Sequence, residues 1–410
     1  MDMFDIAVIG GGPAGMMAAG HAARLGARVA LLEKNEKLGK KLYITGKGRC
    51  NLTNISGKDE HMRNVPRNPR FLHSALSAFD SGSLVQFFEE LGVPLKTERG
   101  GRVFPASDKS ASILDGLKFF LKKHGAQVRL KYAARRVERH AGGFRINGEL
   151  GARALVIATG GLSYPSTGST GDGYAFAGNF GHGVTAAHPS LVSLVTEEKW
   201  PAKLEGLSLK NVALKTGRLE WFGEMMFTDR GLTGPIALTA SAYVCDRLGE
   251  PARFSIDLKP ALCFEKLDAR LLRDFFEESR NKDFGNAVGK LLPARLGAVA
   301  IGLSGFPPST KASAITKPMR RSFARLIKAM PLTVVATGGF DEAVVTRGGV
   351  NVAEINPRSL MSKLAPGLFF AGEVIDVDAL TGGYNLQIAF STGYLAALGA
   401  SAFIKGGEAG

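Results

Sequence analysis

The chain has 410 residues, 45% apolar and 22% charged, with 52 glycines and three cysteines. That length suggests two or three domains, and the composition excludes a disordered chain, a fibre and a disulfide scaffold. An excess of 52 basic over 37 acidic residues, a net charge of +15, favours polyanionic partners such as nucleic acid, anionic cofactors or membrane surfaces.

The chain enters a strand almost at once, Phe4 to Ile9, with no basic leader before it to mark a secretory signal. Gly10-Gly11-Gly12-Pro13-Ala14-Gly15 follows, then an Ala-rich helix (Met16 to Leu25) and a second strand (Arg28 to Leu32) ending at Glu33. This is the length and pattern of one βαβ unit that binds a dinucleotide. Gly10 makes the tight turn, Gly12 lets the backbone approach a pyrophosphate and Gly15 lets helix and strand pack closely. The helix amides, opened by Pro13 and Ala14, supply positive potential for the phosphates. Glu33 is placed to accept hydrogen bonds from ribose hydroxyls.

Residues 34–70 carry ten Lys/Arg against three acids, a local charge of +7. Helical periodicity then predicts one helix over Ser74 to Leu91 and another over Ser110 to His124. Short strands are expected at Val128 to Leu130, Ala134 to Arg139, Phe144 to Ile146 and Ala154 to Ala158, the last closing at Thr159-Gly160-Gly161. Residues 192–330 read as a second unit, with strand-like pieces (Leu209 to Thr216, Arg253 to Leu258) followed by helices (Lys266 to Arg280, Phe284 to Leu292, Lys317 to Ala329). From Leu332 the style of the first region returns, with glycine turns at Gly338-Gly339, Gly372-Glu373 and Gly382-Gly383, then a helix from Asn385 to Phe403. The expected organisation is therefore one cofactor domain from residues 1–191 and 331–410, with an insert at 192–330. No stretch reads as the 18 or more apolar residues of a membrane span. Cys50, Cys245 and Cys263 are too scattered for a zinc site, and the seven histidines show no metal spacing, so no metal is expected. The expectation is a cytoplasmic protein with no membrane partner.

A second set of glycine turns at the far end of the chain favours FAD over NAD as the bound dinucleotide. The Gly382-Gly383 turn, followed by Tyr384 and Asn385, would aim a helix N-terminus at the pyrimidine edge of an isoalloxazine, where reduced flavin carries negative charge. No second Gly-x-Gly-x-x-Gly exists, so NAD(P)H is expected only as a transient reductant.

At these residues the sequence resembles the BaiN/YhiN-type flavoproteins, also labelled aminoacetone-oxidase-family FAD-binding enzymes. Four blocks carry the resemblance: Val8 to Gly15; Thr45-Gly46-Lys47-Gly48-Arg49-Cys50-Asn51-Leu52-Thr53-Asn54; Gly101 to Pro105 with Ala158 to Gly161; and Gly367 to Asp378 through Thr381 to Gln387. It implies an α/β fold with a glutathione-reductase-like Rossmann FAD-binding domain and an inserted β-rich plus helical domain. Lys34 and Lys41, Gly48 and Arg49, Thr159 and Gly160, and Gly372, Glu373 and Asp376 complete the candidate cofactor contacts. Asp376 reads equally as a contact to flavin ribityl or pyrophosphate groups or as a helix N-cap. Two departures stand out: Ser359-Leu360-Met361-Ser362-Lys363 replaces the family's Thr-Met-Glu-Ser-Lys, and Ile388-Ala389-Phe390 replaces an expected pair of tryptophans.

A flavin without a metal or a nucleophile constellation does hydride chemistry at N5. The resemblance implies reduction of an activated C=C bond, with uracil in 23S ribosomal RNA, giving dihydrouridine, as the leading substrate. A small-molecule enone reductase or amine oxidase, or a non-catalytic flavin redox sensor, are the alternatives. RNA would be held by the basic stretches 34–70 and 311–328, the second being Lys311, Lys317, Arg320, Arg321, Arg325 and Lys328 with no acid among residues 311–330. Cys50 is the candidate proton donor, its pKa expected to be lowered by Arg49 and Lys47, or else a small residue packed on the flavin. Arg49 and Asn51 are expected to orient flavin or substrate. Tyr164 and Tyr384 beside the glycine turns either face the ring or pack. The sequence leaves the oligomeric state unknown.

Overall fold

Strand β1 (Asp2–Ile9), helix α1 (Pro13–Arg24) and strand β2 (Val29–Leu32) form the opening βαβ unit. β1 pairs in parallel with β2 on one side and with Leu150–Ile157 on the other. Ile6, Ala7, Val8 and all of β2 are buried, as an unalternating apolar run requires when both faces of a parallel sheet are covered. Burying a leucine such as Leu31 contributes about 2 kcal/mol. The sheet has seven strands in all. Gln127–Arg129 lies outside β2, Gly143–Ile146 and Val137–His140 run antiparallel beyond Leu150–Ile157, and Leu368–Phe370 returns from the far end of the chain to pair in parallel with Leu155 to Ile157.

The computed structural model describes residues 2–406, which form two compact units, 2–190 with 340–406 and 191–339. In the first, α1 packs on the C-terminal helix Tyr384–Gly406. Contact is so close that a Cβ on Gly393 would lie 2.4 Å from the Ala14 carbonyl oxygen. That helix corrects one expectation: it is long and apolar enough to cross a membrane by length and composition. However, 72% of its apolar stretch is buried inside the protein, so its apolarity serves this core. The helix expected over 74–91 is also corrected. It is two helices, His73–Ala78 and Ser81–Glu90, because Asp80 accepts a hydrogen bond from the Ser83 N–H (2.8 Å) and caps a new start.

The second unit is a closed six-stranded barrel, in the order Leu194–Thr196, Gly231–Thr233, Leu219–Phe227, Ser208–Thr216, Ala252–Asp257 and Met330–Thr337. Helices Phe264–Arg273, Ala294–Ser304 and Lys317–Lys328 add to its own core, which includes Phe227, Phe254, Phe284 and Phe323. The insert therefore runs to Gly339 rather than 330. Met330–Thr337 pairs with Ala252 to Ile256 and with Leu194 to Thr196, closing the barrel instead of returning to the cofactor domain.

Candidate active site

The turn between β1 and α1 is shaped by backbone approach. A Cβ on Gly15 would lie 1.8 Å from the Gly10 oxygen, and one on Gly10, which sits at φ +107°, would lie 2.4 Å from the Ala158 oxygen. Gly12 differs, since a Cβ there meets nothing within 4 Å. Pro13 occupies the first turn, Gly12 offers no side-chain cap, and no acid stands in that turn. The first amides of α1 thus lack a partner within the helix, as an anion site requires. Glu33 is buried beside them, accepting hydrogen bonds from Gly11 N–H (2.7 Å) and from Asn35 N–H and Nδ2 (2.8 and 2.7 Å). A carboxylate has about four acceptor sites, so one remains for a ligand hydroxyl.

The loop after Leu368–Phe370 brings three acids to this turn's neighbourhood, each facing a cation from elsewhere in the chain. Gly372, at φ +77°, sits where its Cβ would lie 2.8 Å from that of Ala14. Lys41 reaches Glu373 (2.7 and 2.9 Å) and Ser163 Oγ (2.7 Å), and Glu373 also accepts from Ser163 Oγ (2.6 Å) and Thr346 N–H (2.9 Å). Burial pushes the Glu373 carboxyl up, but the Lys41 charge and these donors outweigh it and hold it below the usual range. Thr346 Oγ1 accepts from Leu162 and Ser163 N–H (2.8 and 3.0 Å), tying the Thr159-Gly160 turn into the same cluster. Asp376 is not an N-cap. Its carboxylate lies in the grip of Arg67 Nε (2.7 and 2.9 Å), and its carbonyl accepts from Asn68 (2.7 Å). Asp378 is fully buried, accepts from Ser190 Oγ (3.0 Å) and stands 3.9 Å from Arg347 Nε. Burial raises its pKa to about 6, against the pull of Arg347. Lys34 is drawn to Asp172 (2.7 Å) and Thr170 (2.5 Å).

A second junction joins the Arg49-to-Asn54 string to the start of the C-terminal helix. Gly383, at φ +100°, packs its Cα against Thr53, where a Cβ would lie 2.4 Å from the carbonyl. Asn51, with its amide oriented to satisfy both partners, donates to Thr53 O and accepts from Gly383 N–H (3.1 Å each). Asn54 donates to Gly382 O (3.3 Å), and Thr53 Oγ1 to Gln387 (2.5 Å). Asn385 brackets Ala379, accepting from its N–H (2.9 Å) and donating to its carbonyl (2.6 Å). Tyr384 is buried edge-on to His61, and Tyr164 stands at φ +53° with its N–H on Phe340 O.

Cys50 overturns an expectation. It is fully buried at φ +60°, and desolvation pushes its thiol up to about 12, only partly offset by a hydrogen bond with Thr45. Arg49 does not lower it, because its guanidinium binds Glu98 and Asp108 and lies 4.3 Å from the Phe104 ring centroid. Lys47 is exposed to solvent.

The description of the family model that matches residues 4–399 is "HI0933-like protein Rossmann domain". The chain belongs to the HI0933-like family. It is 34% identical to the 3-dehydro-bile acid delta(4,6)-reductase of Clostridium scindens, over 96% of this chain and 98% of that protein. It is 31% identical to the ribosomal RNA dihydrouridine synthase of Escherichia coli, over 97% and 98%. Among solved structures, Mycobacterium smegmatis Sdh1 in its apo form matches 98% of this chain and 69% of its own at 19% identity, TM-score 0.50, a likeness of fold. This HI0933-like protein is an FAD-dependent oxidoreductase with a glutathione-reductase-like α/β fold. The open cradle at Gly12 and the uncapped start of α1 fit an FAD diphosphate.

Other parts of the HI0933-like chain serve structure. Ser362 Oγ accepts from Leu364 and Ala365 N–H (3.0 and 2.8 Å) and lies 2.7 Å from His182 Nε2, so the segment that departs from the family pattern is knitted into the fold. Ile388, Ala389 and Phe390 are buried. His21 is enclosed by Phe79, Phe87, Phe120 and Tyr394, and burial drives its pKa down to about 3. Among the described residues no group of three His, Cys, Asp or Glu is placed to hold a metal ion. The stretch 311–328 finds its acids in other segments: Lys311 pairs with Asp283, Arg320 and Arg321 with Asp268, and Lys328 with Asp257. The sequence reading missed Arg67, Ser163, Thr346, Arg347 and Asp378. Asp378 ends the Gly367-to-Asp378 segment that carries the family resemblance, whereas the others carried no local signal.

Proposed function

We propose that the protein, reduced by NAD(P)H, hydrogenates a C=C bond activated by a neighbouring carbonyl, and that its leading substrate is uracil in 23S ribosomal RNA. The observation that carries this reading is the full-length likeness to a delta(4,6)-reductase and a ribosomal RNA dihydrouridine synthase, two activities that add hydrogen across such a bond. Bound FAD supplies hydride from N5. In this reading Gly10 to Gly15 hold the diphosphate, Glu33 takes a ribose hydroxyl, and the Lys41–Glu373 pair with the Thr159-Gly160 turn lines the stretch between. Gly382 to Asn385 and the Asn51 clasp set the flavin end. Cys50 packs, and the proton for the substrate carbon comes from elsewhere.

The net charge of +15 supports the RNA substrate. The small-molecule enone reading is favoured by one observation, the pairing of four of the six cations of 311–328 with acids from other segments. A cytosolic location belongs to the same proposal, in keeping with three free cysteines. The deciding experiment maps dihydrouridine in ribosomal RNA from a deletion strain. Loss of one site that the gene restores is expected, and an unchanged map would end the RNA reading. Anaerobic mixing with NADH or NADPH separates an enzyme from a sensor, since an enzyme's flavin bleaches rapidly.

A further inference from the structure

One surface of the cofactor domain is both apolar and basic. Tyr43 is 57% exposed, Ile44 43% and Ile55 56%. Contacts hold these segments together. Ser110 Oγ donates to the Tyr43 carbonyl (2.6 Å), the Arg49 and Arg102 guanidinia both lie over Phe104, Arg102 Nε donates to Arg99 O (3.2 Å), and Ile55 N–H donates to Gly101 O (2.8 Å). Residues 43–55 and 95–109 together hold six cations, Lys47, Arg49, Lys96, Arg99, Arg102 and Lys109, against two acids, Glu98 and Asp108. Those acids engage Arg49, Lys96 and Arg102, while Lys47, Arg99 and Lys109 are exposed. Positive charge therefore stays at the surface here.

The same surface runs into the candidate site. Asn51 and the buried Asn54, from the same segment, bind Gly383 and Gly382. The loop between is held in left-handed backbone at Gly46, Lys47, Gly48 and Cys50 (φ 57°, 57°, 83° and 60°). Such conformations persist in L-residues where neighbours impose them, and they gather at ligand clamps. A steroid could pack on the exposed ring, but neither it nor an aminoketone would use the spread of cations. A nucleic-acid strand uses both, with phosphates for the cations and a base face for the ring.

Resting on the ribosomal-RNA reading above, we infer that this surface docks single-stranded RNA, with Tyr43 stacking a base next to the reacting uracil and Arg99 and Lys109 holding flanking phosphates. An enzyme that works on a base must take it out of its stack, and a stacking platform beside the site holds the neighbouring base while that happens. The test measures anisotropy of a labelled uridine-rich RNA hairpin on FAD-loaded wild type, Tyr43→Ala, Arg99→Glu and Lys109→Glu, between about 50 and 200 mM salt. Tyr43→Ala is expected to weaken binding about tenfold. Each charge reversal is expected to flatten the log–log salt slope by about 0.7, the share of one single-strand phosphate contact. Flavin content and the rate of flavin bleaching by NAD(P)H should stay at wild-type values, since none of the three residues lies in the cofactor cradle. Wild-type binding with undiminished binding by all three variants overturns the docking surface and leaves the RNA reading standing. No binding by wild type, with turnover of a small enone, overturns both.

Discussion

Glu373 and Asp378 belong to one loop and are both shielded from water, yet their surroundings drive them in opposite directions. Lys41 and two further donors hold Glu373 ionised, whereas Asp378 has one hydroxyl at 3.0 Å and a guanidinium at 3.9 Å, too little to offset its desolvation. The consequence is a pH-dependent stability. A carboxyl whose pKa rises from 3.8 to about 6 on folding stabilises the native state fully below 3.8 and loses that contribution as pH rises through 6. The whole effect is about 3 kcal/mol. Asp378→Asn keeps an acceptor for Ser190 and removes the titration. Thermal melts at several pH values should show the variant gaining on wild type between pH 4 and 6, and a pH-independent difference would refute the assignment. Cys50 gives a second expectation at this scale. A thiol pushed to about 12 is a poor acid near neutrality, so Cys50→Ala should keep its flavin and most of its turnover. Its pH–rate profile should match wild type, and a loss of 10²-fold or more would restore Cys50 as proton donor.

At the level of single elements, the start of α1 separates folding from binding. A Cβ at Gly15 would overlap the Gly10 oxygen, so Gly15→Ala should disrupt the turn and lower the melting temperature of apoprotein. Gly12 has an ordinary φ of −77° and open space before it, so Gly12→Ala should leave the apoprotein's melting unchanged and reduce bound flavin by obstructing the diphosphate. Comparing the A280/A450 ratio with apoprotein melts checks both. Equal flavin content in Gly12→Ala and wild type would remove the diphosphate from this turn. This element was legible in the sequence because its signal is local: glycines, helix and Glu33 recur at fixed spacing. The Arg67–Asp376 pair, 309 residues apart, and Lys41–Glu373, 332 apart, have no local signature, since only the tertiary fold brings them together. The barrel was missed for a similar reason. Leu194–Thr196 and Gly231–Thr233 are three residues long, too short to show alternation, and Met330–Thr337 resembles a cofactor-domain strand until its partners are known.

For the molecule as a whole, the insertion point explains how a 410-residue chain carries an FAD domain split across its two ends. Val184–Ser190 and Val345–Val350 pair antiparallel, with Ser190 opposite Val345, so the chain leaves the cofactor domain and re-enters it at neighbouring positions. The insert has its own core and a barrel without open edges, which removes the unpaired strand that would otherwise aggregate. Each part therefore has what a domain needs to fold alone. Residues 191–339 expressed by themselves should unfold in one cooperative thermal transition and carry no flavin. The complementary protein, Ser190 joined to Phe340 by a short Gly/Ser linker, should remain yellow, because every candidate FAD contact named above lies in residues 1–190 and 340–410. Closing so short a gap costs little chain entropy, so loss of flavin from a folded version of that protein would mean that the insert supplies part of the cofactor site.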